Sequence, residues 1–120
     1  MTLSEIVRQL DLKVLTFMPE NDLEVRYGYA SDLLSDVLGQ APPGALWVTL
    51  QCHPNVIAIA SLLDLSAVLL VGGILPDQAT LERGQETGVT ILSTELPTFE
   101  IVGRLYQLGL RGSTRSCLDG

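Results

Sequence analysis

Three short runs constrain this chain more than any other feature. ALWVTLQ (45–51), SAVLLVG (66–72) and VTILS (89–93) are each apolar without a break and rich in β-branched residues. A strand with one wet face alternates apolar and polar residues, whereas an unbroken run belongs in a sheet covered on both faces. Segments of helical length separate them. Pro54 suits a first helical turn ahead of NVIAIASLLD (55–64). DQATLERGQETG (77–88) has Asp77 as cap, Leu81 as anchor and Gly88 as stop. A last helix opens at Pro97 or Thr98 and reaches Leu108. The order β-α-β-α-β-α predicts an α/β fold, a mostly parallel sheet with helices on both faces.

The first half reads less regularly. Thr2-x-x-Glu5 is a capping box, and Leu3, Ile6, Val7 and Leu10 follow at helical spacing, so residues 3–10 are expected to be helical. LKVLTF (12–17) reads as a strand closed by the turn-rich MPEND. LEVRYGY (23–29) reads as a second, more exposed strand with Leu23, Val25 and Tyr27 on one face. Ser31 is a candidate cap for a helix whose stripe is Leu33, Leu34, Val37 and Leu38, with Gly39 near its end. Residues 1–108 are expected to form a single domain. GLRGSTRSCLDG (109–120) has no periodicity and is expected to be a flexible tail.

Charge narrows the function classes. The net charge is −7, and the seven basic residues are scattered, so there is no basic stripe to meet a nucleic acid or an anionic membrane. Val56–Leu75 is long enough to cross a bilayer, but Asp64 and Ser66 split it and no Lys or Arg flanks it. A buried helix followed by a buried strand explains it better. Cys52 and Cys117 lie far apart in no paired motif, which suits a reducing cytoplasm. A mean hydropathy of +0.34 is high for so small a chain and points to a homodimer that covers apolar surface.

In parallel sheets, ligands bind beyond the carboxyl ends of the strands, at a switch in strand order. The segments to inspect are therefore 49–55, 72–76 and 93–99. The candidate ligand-binding residues are Gln51, Cys52, His53, Asn55, Gly72, Gly73, Ser93, Thr94, Thr98 and Phe99. Cys52-His53 could be a catalytic pair, half a metal site, a pocket rim or a packed turn. Neighbours on an extended chain point to opposite faces, no third catalytic group can be read, and a metal needs three or four ligands. A pocket rim or a plain turn remains, and no enzyme activity or cofactor is expected. Gly72-Gly73 would allow positive φ or a close backbone approach, and is weak as a phosphate cradle. No Gly-x-x-x-x-Gly-Lys-Ser/Thr loop exists. Asp32 and Asp36 lie four apart, a spacing that suits a cation or acid–base work as well as a solvated helix face. Trp47 is read as core or dimer interface, and Thr98 as a helix cap.

Residues 69–105, LLVGGILPDQATLERGQETGVTILSTELPTFEIVGRL, resemble the second half of a DRTGG domain. There an apolar strand ends in a Thr-Gly-Gly-like turn, followed by a Pro-led helix, a strand ending near Ser-Thr and a Thr-Phe-Glu helix. GYASDLLSDVLG (28–39) and residues 45–64 resemble the first half, so the likeness spans residues 2–108. Similar domains precede the catalytic domain of some phosphotransacetylases, sit beside CBS modules in some pyrophosphatases, and look like the N-terminal domain of HPr kinase/phosphorylase. The resemblance implies a non-catalytic accessory domain that dimerises and regulates a partner enzyme or binds a small anionic ligand, an adenine nucleotide among them. The Asp-Arg of the signature falls on Cys52-His53, and its Thr on Val71. Cys52-His53 then reads as a changed specificity position.

Overall fold

The computed structural model describes residues 1–116. Five helices and five strands follow one another as α1 (Leu3–Gln9), β1 (Lys13–Val14), β2 (Tyr27–Ala30), α2 (Leu34–Gln40), β3 (Ala45–Thr49), α3 (Asn55–Leu62), β4 (Ala67–Leu70), α4 (Gln78–Thr87), β5 (Ile91–Ser93) and α5 (Thr98–Gln107). One sheet runs β1-β5-β4-β3-β2. The pairs β2–β3, β3–β4 and β4–β5 are parallel, and β1 joins β5 antiparallel.

Every residue of β3, β4 and β5 is buried, as unbroken apolar runs require. Alternation splits them between two cores. Leu46, Val48, Leu69 and Leu92 meet Leu3 and Ile6 of α1 and Ile101 and Leu105 of α5. Trp47, Val68, Leu70 and Ile91 meet Val37 of α2, Val56, Ile57 and Ala60 of α3, and Leu81 of α4. Helices therefore cover both faces, and Trp47 is core, its indole N–H donating to Ser31 O at 2.9 Å. Val56–Leu75 resolves into α3, a turn and β4. Among the described residues no helix is long and apolar enough to cross a membrane.

Four expectations need correction. The first strand ends at Val14 because the Thr16 hydroxyl replaces the ladder, donating to Val89 O at 3.1 Å and accepting from Ile91 N at 2.9 Å. Residues 23–25 pair elsewhere: Leu3 N donates to Leu23 O at 2.8 Å and Val25 N to Met1 O at 2.9 Å. The second strand is thus confined to Tyr27–Ala30. The helix after Ser31 begins only at Leu34, since residues 31 and 32 bind the end of β3; Leu33 is 65% exposed. Finally, residues 109–112 are docked and not a free tail, because Leu110 completes the α1/α5 core and Gly112 bridges to Gly28. The remainder of the expected tail, 117–120 with Cys117, lies outside the described residues.

The parallel strands neighbour one another in chain order, so no switch in strand order opens a crevice between them. The α4 boundaries are set locally. Asp77 accepts from Thr80 N at 2.9 Å, and Gly88 at φ 77° ends the helix. Gly84 lets α4 lie on β5, for a Cβ there would stand 2.9 Å from Ile91 Cδ1 and 3.1 Å from Thr16 Cγ2. Gly84→Val is expected to cost about 1–3 kcal/mol in denaturant unfolding, through overpacking.

Candidate functional site at the carboxyl edge

Beyond the carboxyl ends of the strands, backbone and side chains are tightly knit. The Asp32 carboxylate links the ends of β2 and β3: its Oδ1 accepts from Thr49 Oγ1 at 2.9 Å and from Leu50 N at 2.7 Å. Gln51 Nε2 donates to Asp32 O at 3.0 Å. Asp36 accepts from the Tyr29 hydroxyl at 2.7 Å; burial, helped by that carboxylate, pushes the Tyr29 phenol up to about 12. The two aspartates are thus acceptors holding the β2–α2–β3 corner, which accounts for their spacing without a cation or acid–base pair.

Cys52 and His53 lie between the start of α3, which begins at Asn55, and the start of α4. Thr80 Oγ1 donates to Cys52 O at 3.2 Å, and His53 Nδ1 accepts from Asn55 N at 3.1 Å. That bond places the proton of neutral His53 on Nε2. Asp77 is held below the ordinary carboxylate range, chiefly by the Thr80 amide, then by the Thr80 hydroxyl, with nearby His53 adding to the effect. Cys52 is a half-buried free thiol.

Gly72 and Gly73 take φ 70° and 74°, the left-handed turn their type permits. Their amides are already used: Gly72 N donates to Leu96 O at 2.8 Å and Gly73 N to Thr94 O at 3.0 Å. The turn therefore stitches β4 to the β5–α5 loop and offers no phosphate cradle. Thr98 does not cap α5, whose cap position is Pro97 with no side-chain bond. Phe99, in the first turn, is 91% exposed.

The candidate residues consequently separate. Gly73, Ser93 and Thr94 meet at one cavity of about 430 Å³, together with Leu10, Asp11, Lys13, Leu75, Glu95, Leu96 and Arg104. Gln51, Cys52, His53, Asn55, Gly72, Thr98 and Phe99 are not among its lining residues. Lys13 stands opposite Ser93 across the β1–β5 pair and makes no ion pair among the described residues. Ser93 is largely buried, at 7% exposure, with its hydroxyl at the cavity. Arg104 Nε donates to Glu100 Oε1 at 3.2 Å. The walls mix two cations with the carboxylates of Asp11 and Glu95, so the cavity can hold an anionic group without being a polyanion trap. Lys13 and Arg104 went unread as site residues; no local signal marks either, since each arrives through a long-range contact.

The DRTGG domain family model matches residues 5–108. The chain belongs to the DRTGG domain family. Among curated proteins the sequence has no match. Among solved structures, the CBS and DRTGG domains of the regulatory region of Clostridium perfringens pyrophosphatase, complexed with the activator diadenosine tetraphosphate, share this fold with a TM-score of 0.70 at 14% identity. The alignment covers 85% of this chain and 44% of that one, so this DRTGG domain spans under half of its neighbour's length. Val71, which follows β4, is fully buried in the α1/α5 core, and its amide donates to Thr49 O at 3.2 Å.

Two outcomes are expected at this edge. Asp32→Ala leaves the buried Thr49 O–H without its acceptor and should lose about 1–3 kcal/mol in denaturant unfolding, while Asp32→Asn, which keeps an acceptor, loses less. Asp77 has a lowered folded pKa, so its contribution is present above the ordinary carboxylate pKa and disappears as pH falls through the lowered value. Asp77→Ala should therefore lower the melting temperature at pH 7 but hardly change it below the lowered value.

Proposed function

We propose that this DRTGG domain is a non-catalytic, ligand-sensing regulatory module that takes a small anionic metabolite or a nucleotide at the carboxyl edge of its sheet. The observation that carries the reading is the 430 Å³ cavity, where Lys13, without an ion pair among the described residues, stands across the strand pair from Ser93. Its size falls in the range of small-molecule sites. The fold it shares with the regulatory region of a pyrophosphatase complexed with a nucleotide activator supports the same reading. Lys13 and the Ser93 hydroxyl would meet the anionic group, and Asp11 and Glu95 would accept from hydroxyl or amino groups of the ligand. The module works in the cytoplasm as a homodimer, which the mean hydropathy and the exposed Phe99, Val102 and Tyr106 of α5 favour.

A second reading has an observation of its own. Leu33, Leu50, Leu75 and Phe99 are all exposed at the same edge, at 65, 41, 62 and 91%. Such an apolar rim suits a partner enzyme docking there, with or without a small ligand.

Thermal unfolding against inorganic phosphate, AMP, ADP and ATP tests the first reading. A binding anion at a hundredfold over its dissociation constant should stabilise by about 2.7 kcal/mol. Lys13→Gln should weaken that ligand about tenfold, in line with loss of one charged hydrogen bond. Cys52→Ala should leave it unchanged. A melting temperature that no such anion moves would remove the ligand reading. Leu75→Ser/Phe99→Ser would then be the variant to lose a partner enzyme if the docking reading holds.

A further inference from the structure

The cavity beside β1 and β5 is walled by charge of both signs. Lys13 makes no ion pair among the described residues, whereas the Arg104 guanidinium is shared with Glu100, its Nε donating to Oε1 at 3.2 Å. Asp11 and Glu95 line the same space, and neither makes an ion pair among the described residues. One cation is therefore free to meet an anion, against two free carboxylates. The chain as a whole carries −7, so no surrounding positive field offsets them.

Neither carboxylate has a structural role that accounts for its sign. Asp11 follows the carboxyl end of α1 at φ 52°, a left-handed position that most often belongs to glycine. The helix carbonyls also oppose a negative side chain there, where a cation would be favoured. Leu12 N closes the turn by donating to Val7 O at 3.0 Å, so the backbone and not the carboxylate ends the helix. Glu95 is exposed in the β5–α5 loop, and its Oε2 would lie 3.6 Å from a Cβ on Gly73. The carboxylate thus lies over the turn that ties β4 to that loop, and that turn is already closed by the carbonyls of Leu96 and Thr94.

We infer, resting on the ligand reading proposed above, that Asp11 and Glu95 are a charge filter that restricts the cavity to ligands carrying one anionic group and turns away polyphosphates. A compact space of 430 Å³ is about 10 Å across, close to the ~8 Å Debye length at physiological salt, so one occupant feels every wall charge. A single phosphate or carboxylate can sit against Lys13 with the ligand's hydroxyl or amino groups toward the carboxylates. A second or third phosphate finds no free cation and must approach Asp11 or Glu95. Each such like-charge approach weakens binding. Selectivity of this kind comes from the repulsive element and not from added attraction.

Titration calorimetry of the full-length chain, without divalent cations, compares AMP with ATP and inorganic phosphate with tripolyphosphate. In the wild type the monophosphate of each pair should bind about tenfold tighter. Asp11→Asn/Glu95→Gln keeps side-chain size and suits the left-handed backbone at residue 11; it should bring each pair within about threefold. Glu20→Gln/Glu86→Gln removes the same charge outside the cavity and should leave the wild-type ratio. Raising the salt from about 50 mM to about 500 mM should shrink the wild-type preference about threefold. Polyphosphates that bind as tightly as their monophosphates overturn the filter and leave the ligand reading standing. So does a preference that survives both the double substitution and high salt, which would be one of size, or an equal loss of preference in Glu20→Gln/Glu86→Gln. If none of the four anions binds, the ligand reading falls and the filter with it.

Discussion

Burial of β3 and β4 on both faces is the constraint from which the rest of the molecule follows. All of Ala45–Thr49 and Ala67–Leu70 is withdrawn from water. Such strands need parallel neighbours on both sides and a layer of helix above and below, because no face can be left wet. α1 and α5 supply one layer, and α2, α3 and α4 the other. The arrangement also collects the β–α turns at one edge of the sheet. Polar groups caught there must find partners inside the protein, and the Thr49 hydroxyl finds Asp32.

Features set by local chemistry were legible in the sequence. The three apolar runs gave the central strands, and Asp77 and Gly88 bounded α4 as cap and stop. Features set by distant partners were not. Nothing in LKVLTF says that Thr16 will take over a ladder with Val89 and Ile91, and nothing in LEVRYGY says that Met1 and Leu3 will claim residues 23–25. Leu110, alone in a polar stretch, shows no periodicity, yet it fills the core beside Gly28. Strand order was equally hidden, so the expected crevice at a change of order has no counterpart here.

The candidate site divides along the same line. The edge was legible because three strands end there; the composition of the cavity was not. Gly72 and Gly73 looked available from sequence, but the carbonyls of Leu96 and Thr94 consume their amides. Of the chemically most conspicuous pair, Cys52 is tied to the start of α4 by Thr80, and His53 accepts from the Asn55 amide at the start of α3. Lys13 and Arg104 reach the cavity from opposite ends of the chain. The proposed anion site therefore lies beside β5 and β1, and not at Cys52-His53.

The central claim is that location. Amide chemical shifts of the isotopically labelled full-length chain, followed during titration with AMP and separately with inorganic phosphate, test it most directly. The account predicts saturable shifts centred on Lys13, Gly73, Ser93, Thr94 and Arg104, with Cys52, His53 and Asn55 little moved. Shifts centred on Cys52 to Asn55 while the β1–β5 cavity stays silent would contradict it.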